Sequence, residues 1–417
     1  MTFDRGRGPT QGSDQTTVRR ANLAVVLRHV ASHGPCSRAR IAAQTGLTRG
    51  TVSSLVAELV ELELLRESGD DGRDGSVGRP AQPIELADVY VAVGLEISVD
   101  SLEVSVEDLT GRVRYERRVF VDNRLSASGP VLDRVAEMAL QAIAEVEREG
   151  LRVGGVAVAV PGLVELASGT LLRAPNLGWS RLPIVAELRE RLPDLPIRVE
   201  NEANLAALAE HWQGAARDIR NFICVFGEVG VGAGIVVDGE LFRGAHGFGG
   251  EFGHVTVAPG GAPCACGSRG CLETLVGQEA IARTAGLQIG SGERMRSITA
   301  ELVRRAELGD AAVLTALHDA GTSLGLALAS AVNLLDLDAV VLGGCFGPLS
   351  PWLAREVEAA LRHRVLAADW TTCELRPSGI GELAAVRGAA ALMLKGLLAA
   401  PWTVADMRQP AKVAAIR

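Results

Sequence analysis

The chain has 417 residues, 47% hydrophobic and 22% charged, an ordinary balance for a water-soluble globular protein with room for two or three domains. No apolar run reaches the roughly 20 residues a bilayer span needs, and the opening MTFDRGRGPTQGSDQTTVRR lacks the apolar stretch of a secretion signal, so the expectation is a cytoplasmic protein with no membrane partner. The net charge of −8 speaks against a nucleic-acid binder until it is divided: residues 1–60 carry eight arginines against three acids, a balance of +5, which leaves −13 for the rest.

A basic front on an acidic body means that only the front can meet a polyanion. Lys395 and Lys412 are the only lysines, so arginine is simply the chain's usual cation. Residues 1–18 read as a flexible arm. From Asn22 onward, Leu23, Val26, Leu27 and Val30 recur at helical spacing. HGPCS (33–37) breaks that pattern, and Ser37 can cap a second helix ending near Thr45. Gly46 then provides a tight turn, and Thr48 caps a third helix whose inner face is Val52, Leu55, Val56 and Leu59. Two short helices joined by a glycine turn make a helix-turn-helix.

Near its start the third helix presents Thr48, Arg49, Gly50, Thr51, Ser53 and Ser54 outward, short polar groups suited to a major groove. Arg38 opens the helix before it. RESGDDGRDGSVGRP then suits a β-wing that carries Arg73 and Arg79 beside the groove. These residues predict a winged helix at 19–80 that binds duplex DNA. The plain alternative is a helical hairpin with a solvated face. AQPIELAD, at the start of a connection over 81–89, holds two prolines that disfavour helix.

The texture changes after that connection. VYVAVGLEI (89–97), LEVSVEDLTGRV and Tyr115–Val121 alternate as strands, and an amphipathic helix is expected over Gly129–Glu149. VGGVAVAVPG (153–162) is a buried strand entering a loop. A second round follows with strands at Phe222–Phe226, Val231–Val237 and Ala339–Leu342, the last ending in Gly343-Gly344. Two α/β halves with glycine loops at their strand ends predict a cleft that holds a ligand, over residues 90–400. A tail is expected over 401–417.

The seven cysteines are unevenly placed, with Cys264, Cys266 and Cys271 crowded close to His254. One imidazole and three thiolates form the four-ligand set of a structural Zn²⁺ site, which leaves no position for a catalytic water. The plain alternative is a group of buried thiols. Cys36, Cys224, Cys345 and Cys373 read as core residues.

The motifs VAVPGLVE, APNLGW, ENEANLAALAE, GVGAGIV, GEFGHVTV, CACGSRGCLE and NLLDLDAVVLGG come in the order found in the ROK family of repressors and sugar kinases. The resemblance covers about residues 90–395 and extends to that family's zinc motif. With a winged helix in front, the chain resembles the family's transcriptional regulators. The resemblance implies a two-lobed, actin-like ATPase fold, a homodimer or homotetramer, and a sugar or sugar-phosphate effector. It also implies sugar contacts from Asn176, Asn201, Glu202, Glu251, His254 and Glu273.

Against the same family, the phosphate loops of this chain look defective. Glu202 stands where the kinases carry their aspartate base. EISVD (96–100) replaces a glycine-rich phosphate loop, and Glu228-Val229-Gly230 replaces Gly-Thr-Gly. A glutamate aimed at a polyphosphate repels it by more than about 1 kcal/mol in a partly dry site. The expected function is therefore a sugar-controlled DNA-binding repressor with no catalytic residue. A sugar kinase with an accessory DNA-binding head, or a regulator with a vestigial pocket that senses a protein, are the competing readings.

Overall fold

The computed structural model describes residues 15–68, 82–124, 126–288 and 293–404. They form two compact units: one takes the chain through Tyr90, the turn Asp108–Thr110 and the chain from Leu394, the other Val91–Glu107 and Gly111–Met393.

The first unit begins with α1 (Gln15–His33), α2 (Arg38–Thr45) and α3 (Arg49–Glu61), followed by β1 (Leu65–Glu67) and β2 (Ile84–Leu86). Leu27, Ile41, Val52, Val56 and Leu59 are completely buried where the three helices meet. Ser37 Oγ accepts from Arg40 N at 3.3 Å and Thr48 Oγ1 from Thr51 N at 3.2 Å, so both helix starts are capped. Gly46 at φ 74 closes α2 in the left-handed region.

Three boundaries in this unit differ from the sequence expectation. α1 starts at Gln15, inside the expected arm, because Gln15–Ala21 are all exposed and carry no apolar signal. The connection at 81–89 contains β2, which pairs antiparallel with β1 (Leu65 opposite Leu86, Glu67 opposite Ile84) and bridges Cys36. Proline discourages helix there but tolerates the edge of a sheet. The expected tail begins with a 3₁₀ turn, Pro401–Thr403, where Trp402 lies under the Arg20 guanidinium at 5.3 Å. Arg73 and Arg79, and the C-terminal residues after Val404, lie outside the described residues.

The next elements are β3 (Tyr90–Ile97), β4 (Ser101–Asp108), β5 (Val113–Phe120), α4 (Ser128–Arg148) and β6 (Arg152–Val160). A small hairpin sheet follows, β7 (Leu163–Glu165), β8 (Thr170–Ala174) and β9 (Trp179–Leu182), and then α5 (Ile184–Arg191), β10 (Ile197–Asn201) and α6 (Glu202–Trp212). The second half contains β11 (Phe222–Gly227), β12 (Val231–Val237), β13 (Glu240–Leu241), α7 (Glu273–Val276), α8 (Gln278–Thr284) and α9 (Glu293–Glu307). It ends with α10 (Ala311–Leu335), β14 (Ala339–Gly344), α11 (Phe346–Arg364), β15 (Glu374–Pro377) and α12 (Ala384–Ala399).

Two five-stranded sheets organise these elements, in orders β10-β6-β3-β4-β5 and β13-β12-β11-β14-β15. Numbered within each half, both follow the same order, with the first strand central and the fourth beside it. The fourth and fifth strands run parallel in each (β6 with β10, β14 with β15). Val91, Val93, Leu95, Val156 and Val158 anchor one core; Ile223, Val225, Val340 and Leu342 anchor the other. α10 is long and apolar enough to cross a membrane by length and composition, although no such run was expected. Its Val313, Leu317, Leu324 and Leu328 are fully buried in the second core, which accounts for that apolar face.

Candidate functional site

Strand ends and helix starts converge on one open cavity. Asn176 comes from the turn between β8 and β9, and Asn201 and Glu202 from the junction of β10 with α6. Glu251 and His254 come from the 3₁₀ turn after β13, and Glu273 opens α7. All six residues expected to contact a sugar line this one cavity.

They are not equally free. Asn201 Oδ1 caps α6, accepting from Ala203 N at 2.9 Å and Asn204 N at 3.2 Å, while its amide donates to the Gly162 carbonyl at 3.0 Å. One amide proton remains for a ligand. Glu273 Oε2 accepts from Val231 N at 3.0 Å and is thereby fixed. A Cβ on Gly230 would lie 2.6 Å from that oxygen and 3.1 Å from Asn176 Nδ2, so both side chains depend on a glycine there.

His254, Cys264, Cys266 and Cys271 also come together, one donor atom from each lying within 4.8 Å of the others. Cys264 Sγ is 3.7 Å from His254 Nδ1, and Cys266 Sγ is 3.7 Å from Cys271 Sγ. A tetrahedron with bonds of about 2.0–2.3 Å has edges of roughly 3.5–3.8 Å. Those two pairs stand at that edge length, and the donor set suits a four-coordinate metal of the zinc type. The backbone knot closes through Val257 N and Ala258 N, which both donate to the Gly270 carbonyl. Gly270 sits at φ 66, where a Cβ would strike the Ala258 carbonyl at 1.7 Å. With Nδ1 turned toward the thiols, His254 Nε2 faces Glu251, 4.0 Å from Oε2. The seven cysteines are all free thiols; Cys36, Cys224 and Cys345 are buried as expected, whereas Cys373 is only half-buried.

A third group lies on the other side of Glu202. Oxygens of Glu96, Glu202 and Glu228 lie within 4.8 Å of one another. Ser98 Oγ is 3.0 Å from Glu228 Oε2 and 3.1 Å from Asp100 Oδ1. Both Glu96 oxygens and Glu202 Oε2 are buried without a hydrogen-bond partner. Burial first, then the charges of Glu251, Glu273 and Asp100, push the Glu202 carboxyl up to about 8. Burial and neighbouring carboxylates raise Glu96 and Glu228 well above the usual range as well. The Glu202 carboxyl in this state holds its proton at neutral pH unless a cation replaces it.

On the head, Thr48, Arg49, Gly50, Ser53 and Ser54 are exposed along the start of α3, and Thr51 is half-buried. Thr48 and Thr51 share their hydroxyls at 2.9 Å, a cap that limits their freedom toward a partner. Arg38 is tied to Glu67 at 2.7 Å. Arg19 pairs with Glu58 and so braces α1 against α3.

Residues 92–396 match the model of the ROK family. The chain belongs to the ROK family. Residues 24–74 match the MarR family, which agrees with a winged helix ahead of the ROK body. The xylose repressor of Bacillus subtilis (strain 168) is 28% identical over 93% of this chain and 98% of its own length. A glucokinase of Halalkalibacterium halodurans is 33% identical over 56% of this chain and 74% of its own. The crystal structure of a ROK family transcriptional regulator, a homolog of the E. coli MLC protein, superposes with a TM-score of 0.78 at 25% identity, over 93% of this chain and 99% of that one. The chain is thus similar to ROK regulators along nearly its whole length and to ROK kinases over the body.

Several residues of this ROK site escape a sequence reading. Glu200 is buried and bonds Asn201 N, Asn204 Nδ2 and the Arg243 guanidinium, holding the β10–α6 junction that presents Asn201 and Glu202. It stands at the head of ENEAN, so the motif itself pointed to it. Arg173 lines the cavity and reaches the Cys266 carbonyl at 3.4 Å, but nothing in its sequence surroundings marks it.

Proposed function

We propose that the chain is a cytoplasmic DNA-binding transcriptional repressor controlled by a sugar or sugar phosphate. The observation that carries this is the joining, in one chain, of a winged-helix head to a ROK cavity whose polar lining suits a polyol. Two repeated lobes around that cavity give the ligand something to close. Neutral hydroxyls are met in pairs by carboxylates and amides, and Asn176, Glu251 and Glu273 offer these at the cavity wall.

Zinc at Cys264, Cys266, Cys271 and His254 Nδ1 would supply a fixed anchor with a full ligand set and no open position. His254 then carries its proton on Nε2, where it can donate to a ligand hydroxyl. Glu273 and Glu251 flank the same knot, so metal and ligand recognition share one scaffold.

The absence of kinase activity is part of the proposal. A transferred phosphoryl group needs donors around its oxygens. Here Glu96, Glu202 and Glu228 crowd together, and the resemblance to the kinases puts them at the base and phosphate-loop positions. The Bacillus subtilis relative is named a xylose repressor, and we infer a sugar-controlled repressor for this chain: sugar uptake or catabolic genes as targets, and a homodimer or homotetramer placing two heads on paired half-sites of a duplex operator. The head's contacts are assigned to Arg38, Thr48, Arg49, Gly50, Thr51, Ser53 and Ser54.

A gel-shift with the promoter next to the protein's own gene, repeated across a panel of hexoses, pentoses, amino sugars and their phosphates, tests the proposal. Retarded DNA whose mobility responds to one sugar supports it. Turnover of ATP with any of those sugars, lost in Glu202→Gln, would support the kinase reading, which the glucokinase relative and the retained acid Glu202 favour.

A further inference from the structure

Two carboxylates that meet Glu202, those of Glu96 and Glu228, lie outside the lining of the sugar-side cavity. Glu202 lines the sugar-side cavity; Glu228 lines a second one together with Asp100, Glu103, Arg118 and Glu382. Glu96 lies completely buried at the end of β3, with both of its oxygens unpartnered. Three residues distant in sequence thus aim acceptor atoms at one point, and no described donor meets Glu96 or Glu202 Oε2 there. The guanidinium in this region, Arg118, is committed to Glu103 at 2.5 Å and Glu382 at 2.8 Å.

We propose that Glu96, Glu202 and Glu228 bind a single hard divalent cation of the magnesium, manganese or calcium type. Hard cations take oxygen ligands, and two ligands of one ion lie at most two bond lengths apart, about 4.1 Å for Mg²⁺ and roughly 4.6–5.2 Å for Ca²⁺. The three oxygens all lie within 4.8 Å of one another, inside the limit for Ca²⁺, and a smaller ion draws them closer together. The second cavity, whose wall carries four carboxylates and one arginine, draws cations toward Glu228. A cation here neutralises the charge that otherwise crowds Glu202. It therefore sets the position of a residue that faces the sugar-side cavity. The soft Cys/His cluster does not compete for such an ion, because thiolates select zinc. The cation site needs no sugar beside it, so its test stands apart from that of the regulator reading.

The experiment uses the full chain, loaded with zinc and freed of other divalent ions. MnCl₂ is titrated in while the electron paramagnetic resonance of free aqueous Mn²⁺ is followed. One Mn²⁺ per chain is expected to bind at sub-millimolar concentration and to be displaced by Ca²⁺ or Mg²⁺. Glu96→Gln and Glu228→Gln should each weaken it by roughly tenfold or more, since each removes a charged ligand. A free-Mn²⁺ signal unchanged up to millimolar concentration, or equal binding by both variants, would overturn the site. Wild-type crystals soaked in MnCl₂ need no variant to fold. An anomalous peak within roughly 2.1–2.5 Å of the three carboxylates is expected, and a peak elsewhere or none contradicts the proposal.

Discussion

Glu202→Gln is expected to stabilise the protein, and to do so more strongly as the pH rises. The Glu202 carboxyl is raised from its ordinary 4.5 to about 8 by burial and then by Glu251, Glu273 and Asp100. The sign follows from linkage. Below pH 4.5 the group is protonated whether folded or unfolded, and it costs nothing. Between 4.5 and 8 the folded chain must keep a proton that the unfolded chain gives up, and the cost grows by about 1.4 kcal/mol per pH unit. That amounts to about 2 kcal/mol at pH 6 and reaches a ceiling of about 5 kcal/mol above pH 8, less whatever the neighbouring carboxyls share. Glutamine has the shape of the protonated acid and does not titrate. Thermal melts by circular dichroism, in buffer free of magnesium, calcium and manganese but with zinc retained, measure the difference. Wild type and variant should melt together near pH 4.5 and separate by several degrees at pH 8.5, with the variant higher. Parallel curves, or a wild-type advantage in alkali, would refute the reasoning.

Gly230→Ala places a methyl 2.6 Å from Glu273 Oε2 and 3.1 Å from Asn176 Nδ2; calorimetry should show sugar affinity falling by roughly tenfold or more, about 1.4 kcal/mol, with the melting midpoint little changed. Cys271→Ser removes a fully buried ligand of the metal cluster, so elemental analysis should find zinc lost and the midpoint lowered by several degrees. Ser37→Ala removes the cap on Arg40 N and should cost the head about 1 kcal/mol in chemical denaturation. Arg49→Ala should weaken operator binding and reduce its salt slope by about 1 in a titration over salt if Arg49 meets a phosphate.

The head's helices were legible because their punctuation is local: Ser37, Gly46 and Thr48 each act within a few residues, and all three do so in the structure. The Cys/His cluster was legible for the same reason, with its donors inside one short segment. β2 was not, because a three-residue strand exists only through its partner β1, whose register the sequence does not state. The start of α1 carries no buried face and therefore no periodicity. Asn201 was read as a sugar contact, and its use as an α6 cap emerged only once the β10–α6 junction had a geometry. The carboxylate triad draws on the end of β3, the start of α6 and the loop after β11; the sequence marks Glu202, Glu228 and the EISVD loop that holds Glu96 as departures from a kinase, but their meeting is a fact of the fold.

The central claim is that the cavity and the head are thermodynamically coupled. Calorimetric titration of the sugar selected by the gel-shift panel, into free protein and into protein saturated with operator, measures that coupling directly. Linkage requires any ligand that releases DNA to bind the DNA-bound protein more weakly by the same factor, of the order of 5–150-fold for ordinary allosteric coupling. A weakening in that range is predicted. Equal affinities in the two titrations would contradict the account, however tightly the sugar binds.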